Sequence, residues 1–503
     1  MLYLTIKKES MILNGIRVKF FLAGLLVLLL TASGQELTVR IIQTTDLHGS
    51  VDHGTLARTA TLVEQETQAA GGPEKSLRID CGDLIQGSYA MTFPEGRELM
   101  IRFLDQLSYD VFVPGNHDFE FGSAVLLPLI RQFRGSVLGM NLEWPDAPVR
   151  SWKMFRRNQL NIAVIGIAYP SLDRMFVPQV LGTVRPLPVE KQLEKVIPEV
   201  MRARPDLILL AMHAGEQSRL GPDLSCFDLV RKYPQIDLIL CGHSHQAEPG
   251  KMIGKNTWLL QAPPHAVGIG TAVIRFDRKQ RRIISLTTHL ARIDGVREHP
   301  EIKKQIKQLN GKTFRTGRRK VADLPVELRP LEKNEFSNFL TGLNGKAIMQ
   351  ATGAEIVFYG VNSRFRTGPG ILSEYQLFRL MPYDDHVLTV DLTAGEIRRI
   401  LAEQIALRRK NNRYQAPTGL HFTLSRRELQ QIILDRTGKP LENGRTYRTA
   451  FSSYIFAGGG RCPQLHSIVK NKQAVFFPVS VRKMTADHLR GNYPVRPKEG
   501  NGK

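Results

Sequence analysis

Seven side chains in five short motifs carry the donor atoms of a divalent-metal centre. They are Asp46 and His48 in TTDLHGS, Asp83 in DCGDLIQG, Asn116 in PGNHDFEFG, His213 in AMHAGE, and His243 and His245 in CGHSHQ. Carboxylate, amide and imidazole donors suit Mn, Zn, Fe or Mg rather than an ion that seeks thiolate. Seven such ligands suffice for two ions, and a two-metal centre is apparatus for phosphoester hydrolysis. Taken singly, the motifs say less. D-x-H after a strand also makes a turn that caps the next helix, and a lone histidine under a sheet edge is an ordinary core residue. GNHD and GHSH are more particular, because glycine lets the backbone approach an ion while the neighbouring Asn or His supplies the donor.

Each motif stands at the end of a short apolar run. LTVRIIQTT leads into Asp46, SLRID into Asp83, DVFVP into Asn116, DLILLAM into His213 and DLILCG into His243. These runs are rich in Val, Ile and Leu and too short for helices, so they read as strands. TLARTATLVEQET, RELMIRFLDQL, VEKQLEKVIPEVM and DLSCFDLVRKY lie between them with helical period. Such alternation predicts an α/β (α+β) fold, a sheet covered by helices. Loops at the carboxyl ends of its strands would let ligands far apart in sequence converge.

On these motifs the chain resembles the calcineurin-like metallophosphoesterases, in their 5'-nucleotidase branch, over roughly residues 37–480. The resemblance implies a four-layer αββα catalytic sandwich, followed by a 5'-nucleotidase-type α/β C-terminal domain that presents substrate. It implies that Asp46, His48, Asp83 and His245 hold one divalent ion, and that Asp83, Asn116, His213 and His243 hold a second, with Asp83 bridging. The implied reaction is 5'-nucleotidase-type hydrolysis of a nucleotide phosphate ester by a water that the two ions activate. Related activities in the same family are 2',3'-cyclic-nucleotide phosphodiesterase and thiosulfohydrolase. His117 would stabilise the transition state or protonate the leaving oxygen, with a carboxylate orienting its ring. The family places an Asp three residues after that His. Here the position holds Glu120, one methylene longer, with Asp118 between, and both acids also suit capping of the following turn.

In the C-terminal part the resemblance loosens. Where the family carries a glycine-rich loop with an arginine for the phosphate, this chain has GVNSRFRTGPG, which leaves Arg364 or Arg366 to make a bidentate contact. Tyr414 and Tyr454 stand near the family's two base-stacking aromatics and are equally acceptable as strand residues. The family's Gly-Gly-Asp-Gly, whose Asp contacts the nucleoside sugar, becomes AGGGRCPQ, so Gly460 takes the carboxylate's place and Arg461 follows. Removing that acceptor weakens discrimination for a sugar hydroxyl, and the arginine suits an anionic group.

Lys7, Lys8, Arg17 and Lys19 precede the apolar run Phe20 to Leu30, and Ala32, Ser33 and Gly34 follow it. This is the pattern of an export signal cleaved after Gly34, with Met11 as an alternative start. The run is too short to cross a hydrocarbon core of about 30 Å. A periplasmic or secreted location without a stable membrane span is expected, an uncleaved anchor being the alternative. The organisation reads as signal peptide 1–34, catalytic domain 35–298, connecting helix and linker 299–334, C-terminal substrate domain 335–491 and basic tail 492–503. Within the C-terminal domain, FSNFLTGLNGKAIMQATGAEIVFYG reads as helix then strand, VLTVDLT as strand, AGEIRRILAEQIALRR as helix, and LHFTLS and YRTAFSSYIF as strands.

A chain of 503 residues exceeds one ordinary core, and 42% hydrophobic content is globular. Four cysteines do not make a disulfide scaffold. Cys226 and Cys241 could pair in an oxidising compartment, but as a default all four read as core residues. The net charge of +22 is uneven, because residues 301–503 hold 35 of the 69 Lys and Arg and only 17 of the 47 Asp and Glu. That half suits an anionic partner: a phosphorylated small molecule, nucleic acid or an envelope polymer. A basic surface protein that binds nucleic acid or envelope polymer is therefore the competing reading, against which the complete ligand set argues. LRRKNNR and FRTGRRK equally read as solvated basic faces.

Overall fold

Side-chain alternation sorts the strands of the first half into layers. In the strand Leu207–Met212, Leu207, Leu209 and Ala211 enter one core while Ile208, Leu210 and Met212 enter another, as the two-residue period of a strand requires. The computed structural model describes residues 36–495 apart from 219, 221–224, 334, 362, 411–413 and 427. The export signal expected over 1–34 and the tail beyond residue 495 lie outside the described residues. Among the described residues no helix is long and apolar enough to cross a membrane.

Two sheets face one another in the first domain. One has seven strands, with Glu36–Thr44, Ser76–Asp80, Val111–Phe112, Ser136–Leu138 and Val149–Arg150 parallel, and Gly268–Asp277 and Arg282–Arg292 closing the other edge antiparallel. The other has six strands, and at its centre Leu209 stands opposite Val164 on one side and Leu238 on the other. Val39, Ile41, Leu77 and Ile79 of the first sheet pack against Ile162, Val164, Leu209 and Leu240 of the second. Helices Thr55–Ala69, Pro94–Gln106 and Ser123–Gln132 cover the outer face of the first sheet, and Val189–Arg202 and Cys226–Lys232 that of the second. Four layers result, in the expected order αββα.

The chain then crosses to the second domain. The helix Pro300–Gly317, capped by the side chain of His299, buries Ile302, Ile306 and Leu309 in the helical layer of the first domain. Lys320–Leu324 already pairs antiparallel with Gly370–Ser373. The second domain thus takes up the chain at Lys320, earlier than the expected boundary at 335, because a strand follows where linker was read. Its main sheet runs in the order Ala416–Thr418, Ile356–Tyr359, Thr446–Ser452, Val387–Thr393, Val475–Phe477. Helices Phe339–Thr352 and Val481–Asn492 cover one face, and Ala394–Arg409 and Pro463–Val469 the other.

Two further boundaries differ from expectation. YRTAFSSYIF is not one strand: the strand ends at Ser452, whose hydroxyl accepts from the Ile455 N–H and starts a short helix, Ser453–Ala457. Asn492 closes a helix and Tyr493 packs edge-on against Phe339, so the packed chain runs past the position where the tail was expected to begin. All four cysteines are buried free thiols, with no disulfide between Cys226 and Cys241.

Asp80, at the end of its strand, is wholly buried. It accepts from the Thr44 hydroxyl at 2.7 Å and from the Gly82 N–H at 3.0 Å. Burial outweighs both bonds and pushes the carboxyl up to about 8. An acid raised by folding keeps its proton in the fold while the unfolded chain has lost it. Stability from this group therefore falls as pH rises from the ordinary carboxylate value to about 8. Asp80→Asn keeps an acceptor for Gly82 and does not ionise. Its melting temperature should exceed the parent's at pH 8, with the gap closing toward pH 5; a gap that stays constant with pH would contradict the buried neutral acid.

Candidate metal centre and substrate cleft

Strand ends deliver the donors. Asp46 and His48 follow Glu36–Thr44, Asp83 follows Ser76–Asp80, Asn116 follows Val111–Phe112, His213 follows Leu207–Met212, and His243 and His245 follow Leu238–Leu240. Ligand atoms of Asp46, His48, Asp83 and His245 all lie within 4.8 Å of one another, and so do those of Asp83, His213 and His243. Asn116 joins the second group, with its Oδ1 2.8 Å from His243 Nδ1. Asp83 is common to both. The backbone at Asp46, His48, Asp83, His243 and His245 has φ between 48° and 68°, a conformation that costs a residue with a Cβ about 1–3 kcal/mol and persists where its surroundings enforce it.

Hydrogen bonds set the rings. His48 Nδ1 lies 2.9 Å from the Gln86 carbonyl and His213 Nδ1 2.6 Å from the Cys81 carbonyl. In each ring Nδ1–H then donates outward and Nε2 faces the cluster. His48 Nε2 stands 3.0 Å from His245 Nε2, and His245 Nε2 stands 3.3 Å from Asp46 Oδ1. His213 Nε2 is buried 3.2 Å from Asp83 Oδ2 yet makes no hydrogen bond among the described residues. Burial pushes His48 and His243 down to about 4, which leaves neutral rings with lone pairs to give. Burial also opposes a charge on His213, but the Asp83 carboxylate prevails and pushes that ring up to about 10. The position holds positive charge, which a divalent ion would supply in place of the proton. Asp83 itself is held well below the usual carboxylate range, against burial, by His213, His117 and His48. Donor chemistry and electrostatics together fit a divalent cation.

His117 is joined to this centre through its backbone, whose N–H donates to Asp83 Oδ1 at 2.7 Å. Its ring Nδ1 lies 3.1 Å from Glu120 Oε2. Asp118 turns the other way. Its oxygens accept from the N–H groups of Gly115, Asp83 and Leu84 at 2.7, 3.0 and 2.8 Å, tying two ligand loops together. The same loops meet backbone to backbone: a Cβ on Gly82 would fall 2.5 Å from Gly115 N, and one on Gly115 would fall 2.5 Å from Asp83 N. Asn116, His117 and His243 open into a cleft of about 890 Å³ whose opposite wall, including Tyr383, Tyr454 and Arg461, belongs to the second domain.

Residues 39–247 match the calcineurin-like phosphoesterase family, and residues 320–467 match the 5'-nucleotidase C-terminal domain. The chain is a calcineurin-like phosphoesterase with a 5'-nucleotidase C-terminal domain. Among characterised relatives, a 2',3'-cyclic-nucleotide 2'-phosphodiesterase/3'-nucleotidase of Haemophilus influenzae is 26% identical over 254 residues, covering 44% of this chain and 38% of that protein. Protein UshA of Yersinia enterocolitica is 22% identical over 510 residues, 88% of this chain and 90% of its own. A crystal structure of a 5'-nucleotidase precursor from Thermus thermophilus superposes with a TM-score of 0.64 at 19% identity, covering 92% of this chain and 97% of that one, which shows a shared fold.

Not every residue singled out in the sequence reaches the cleft of this phosphoesterase. Arg364 and Arg366 are exposed and do not line it. Phe365 between them packs beneath Arg379, and Thr367 pairs with Leu328, so the extended loop turns its alternate arginines outward. Tyr414 lines the cleft but is only 7% exposed, and its hydroxyl donates to the Phe336 carbonyl at 2.8 Å, which leaves little ring face for stacking. Tyr454 lines the cleft more openly, one face of its ring against Gly459. Other residues were missed. The His265 ring sits 5.2 Å from that of His48 and 5.0 Å from that of His245, and the backbone N–H of His265 donates to the Asp46 carbonyl. The run WLLQAPPH ends a strand in a histidine, the pattern of the other motifs, and could have disclosed it. The Tyr169 ring, 4.6 Å from that of His243, carried no such signal.

A methyl group on Gly115 would also come within 2.3 Å of Asp83 Oδ1 and 2.7 Å of His213 Cε1. Gly115→Ala should therefore weaken divalent-metal binding about 10–100-fold, the range for displaced supporting contacts, measured by titrating metal-stripped protein. Gly311→Ala, where a Cβ meets nothing within 4 Å, should leave it unchanged.

Proposed function

We propose that this phosphoesterase hydrolyses phosphate esters of nucleotides in the interdomain cleft, with two divalent cations as cofactors. Asp46, His48, Asp83 and His245 would hold one cation, and Asp83, Asn116, His213 and His243 the other. The observation that carries the reading is the sharing of Asp83 by two donor groups beside His117, one reaching the interdomain cleft through Asn116 and His243 and the other an adjoining pocket through His48 and His245. When bound, the cations would act as Lewis acids on the phosphoryl oxygens and raise the acidity of the attacking water.

The chain's own residues supply the rest. Glu120 occupies His117 Nδ1, which leaves Nε2 to give a proton to the leaving oxygen. Burial opposes the His117 cation, but Asp83 and Glu120 overcome it and push the ring up to about 9; with Asp83 given to the cations, Glu120 would be the carboxylate that keeps the ring in its acid form. Tyr454 offers a ring to a base at the far end of the cleft. The sequence pattern from Lys7 to Gly34 supports export, which would put the reaction outside the cytoplasm.

A second reading within the same chemistry is favoured by one position. At Gly460 φ is 70° and an added Cβ would push aside the Ile455 Cδ1 methyl, 2.3 Å away, so a carboxylate there would be strained, while Arg461 lines the cleft. A substrate with an anionic group besides the scissile ester, such as a nucleoside 3',5'-bisphosphate, would suit that arginine, whereas a 2',3'-cyclic nucleotide carries only the phosphate that is cleaved.

Metal-loaded protein assayed with AMP, adenosine 3',5'-bisphosphate, 2',3'-cyclic AMP and an aryl phosphate separates these readings. Turnover of AMP above that of the aryl ester is expected, and cleavage of the aryl ester alone would remove the nucleotide assignment. His117→Asn should keep its metal content and KM while kcat falls about 10²-fold or more.

A further inference from the structure

We propose that the second domain completes the catalytic apparatus by fixing Glu120, which makes Tyr383, Asp384 and Arg482 positioning residues for His117. The proposal rests on the role given to His117 above. Its basis is a carboxylate that serves both domains at once. Glu120 Oε2 takes His117 Nδ1 at 3.1 Å, and Glu120 Oε1 accepts from the backbone N–H of Asp384 at 2.9 Å. A carboxylate anchored by one oxygen can swing about its terminal bond, whereas one held at both oxygens has a defined plane. Here the second anchor comes from a residue 264 positions along the chain.

The ring itself is gripped from the same side. Tyr383 stacks on His117 with centroids 5.8 Å apart and an interplanar angle of 25°, while His48 meets the ring edge-on at 5.4 Å. His117 is thus enclosed between a metal-centre histidine of its own domain and an aromatic side chain of the other.

The segment that makes both contacts is stiff. Arg482 donates to the carbonyls of Met381 at 2.9 Å and Tyr383 at 3.2 Å, and to Asp384 Oδ1 at 2.9 Å. The Asp385 carbonyl accepts from Val481 N–H and the His386 carbonyl from Ser453 N–H, each at 2.8 Å. Five hydrogen bonds from two other elements therefore set the path of residues 381–386 before it touches the first domain. Charge-assisted bonds from an arginine hold such a loop more firmly than neutral ones. Through this chain of contacts Arg482, which faces the loop rather than the substrate, determines where His117 points.

The test is steady-state kinetics of the full-length, metal-loaded protein on p-nitrophenyl phosphate, with Arg482→Ala, Tyr383→Ala and Tyr383→Phe, each alone and combined with His117→Asn. Arg482→Ala and Tyr383→Ala should each lower kcat about tenfold or more, as expected for a misplaced catalytic group, with KM and metal content near parental. Tyr383→Phe keeps the ring and should retain most of the rate. In the His117→Asn background the same alanine substitutions should have almost no further effect, because the group they position is gone. A full loss that persists in that background would assign the effect to general damage and overturn the inference. Parental rates for both alanine variants beside a slow His117→Asn would overturn it alone, whereas parental turnover by His117→Asn would overturn it together with the role given to His117. Two independent substitutions carry the comparison, so loss of fold in one leaves the other to decide.

Discussion

A single buried carboxylate governs the first domain. Asp83 has 1% of its surface exposed, and an isolated charge at that depth would be prohibitive. Its surroundings are arranged to keep it ionised: the His117 N–H on one oxygen, His213 and His48 beside the other. Its own N–H is held by Asp118. The two donor groups share this residue, so the strand ends, the left-handed backbone at five ligand positions and the close approach of the loops all serve its placement.

The second domain contributes in a different currency. It brings few charges to the centre and instead supplies a wall, a stacking ring and a backbone N–H. Its surplus of basic residues sits largely on exposed positions such as Arg364 and Arg366, away from the cleft. Net charge at the level of a whole domain therefore describes its general attraction for anions, while recognition depends on the few groups, Arg461 among them, that face the substrate space.

How much could be read from the sequence follows from the range of the interactions. The strands before Asp46, Asp83, His213 and His243 were legible because each combines a short apolar run with a donor at its end, all within about ten residues. The four layers were legible because strands and helices alternate. The path of the loop from Gly360 to Gly370 was not, since it is set by Phe365 against Arg379 and by Thr367 against Leu328, contacts that no local pattern encodes. Tyr414 was placed in the right region but not with the right exposure, because its cover, Phe336, lies 78 residues earlier. The strand at Lys320–Leu324 was read as linker because its partner, Gly370–Ser373, is equally remote. The bond between Glu120 and Asp384 belongs to the same class: Glu120 stood out beside its histidine, but nothing local pointed to a partner 264 positions away.

The contact between Gly82 and Gly115 carries a consequence for how such a protein can change over generations. Neither loop has room for a side chain at that point, and each blocks the other, so a replacement in one cannot be rescued by an ordinary replacement in its neighbour. Heritable variation is thereby steered away from the cation-binding ledge and toward the opposite wall of the cleft. A lineage built this way inherits its chemistry nearly intact and remains free to exchange its substrates.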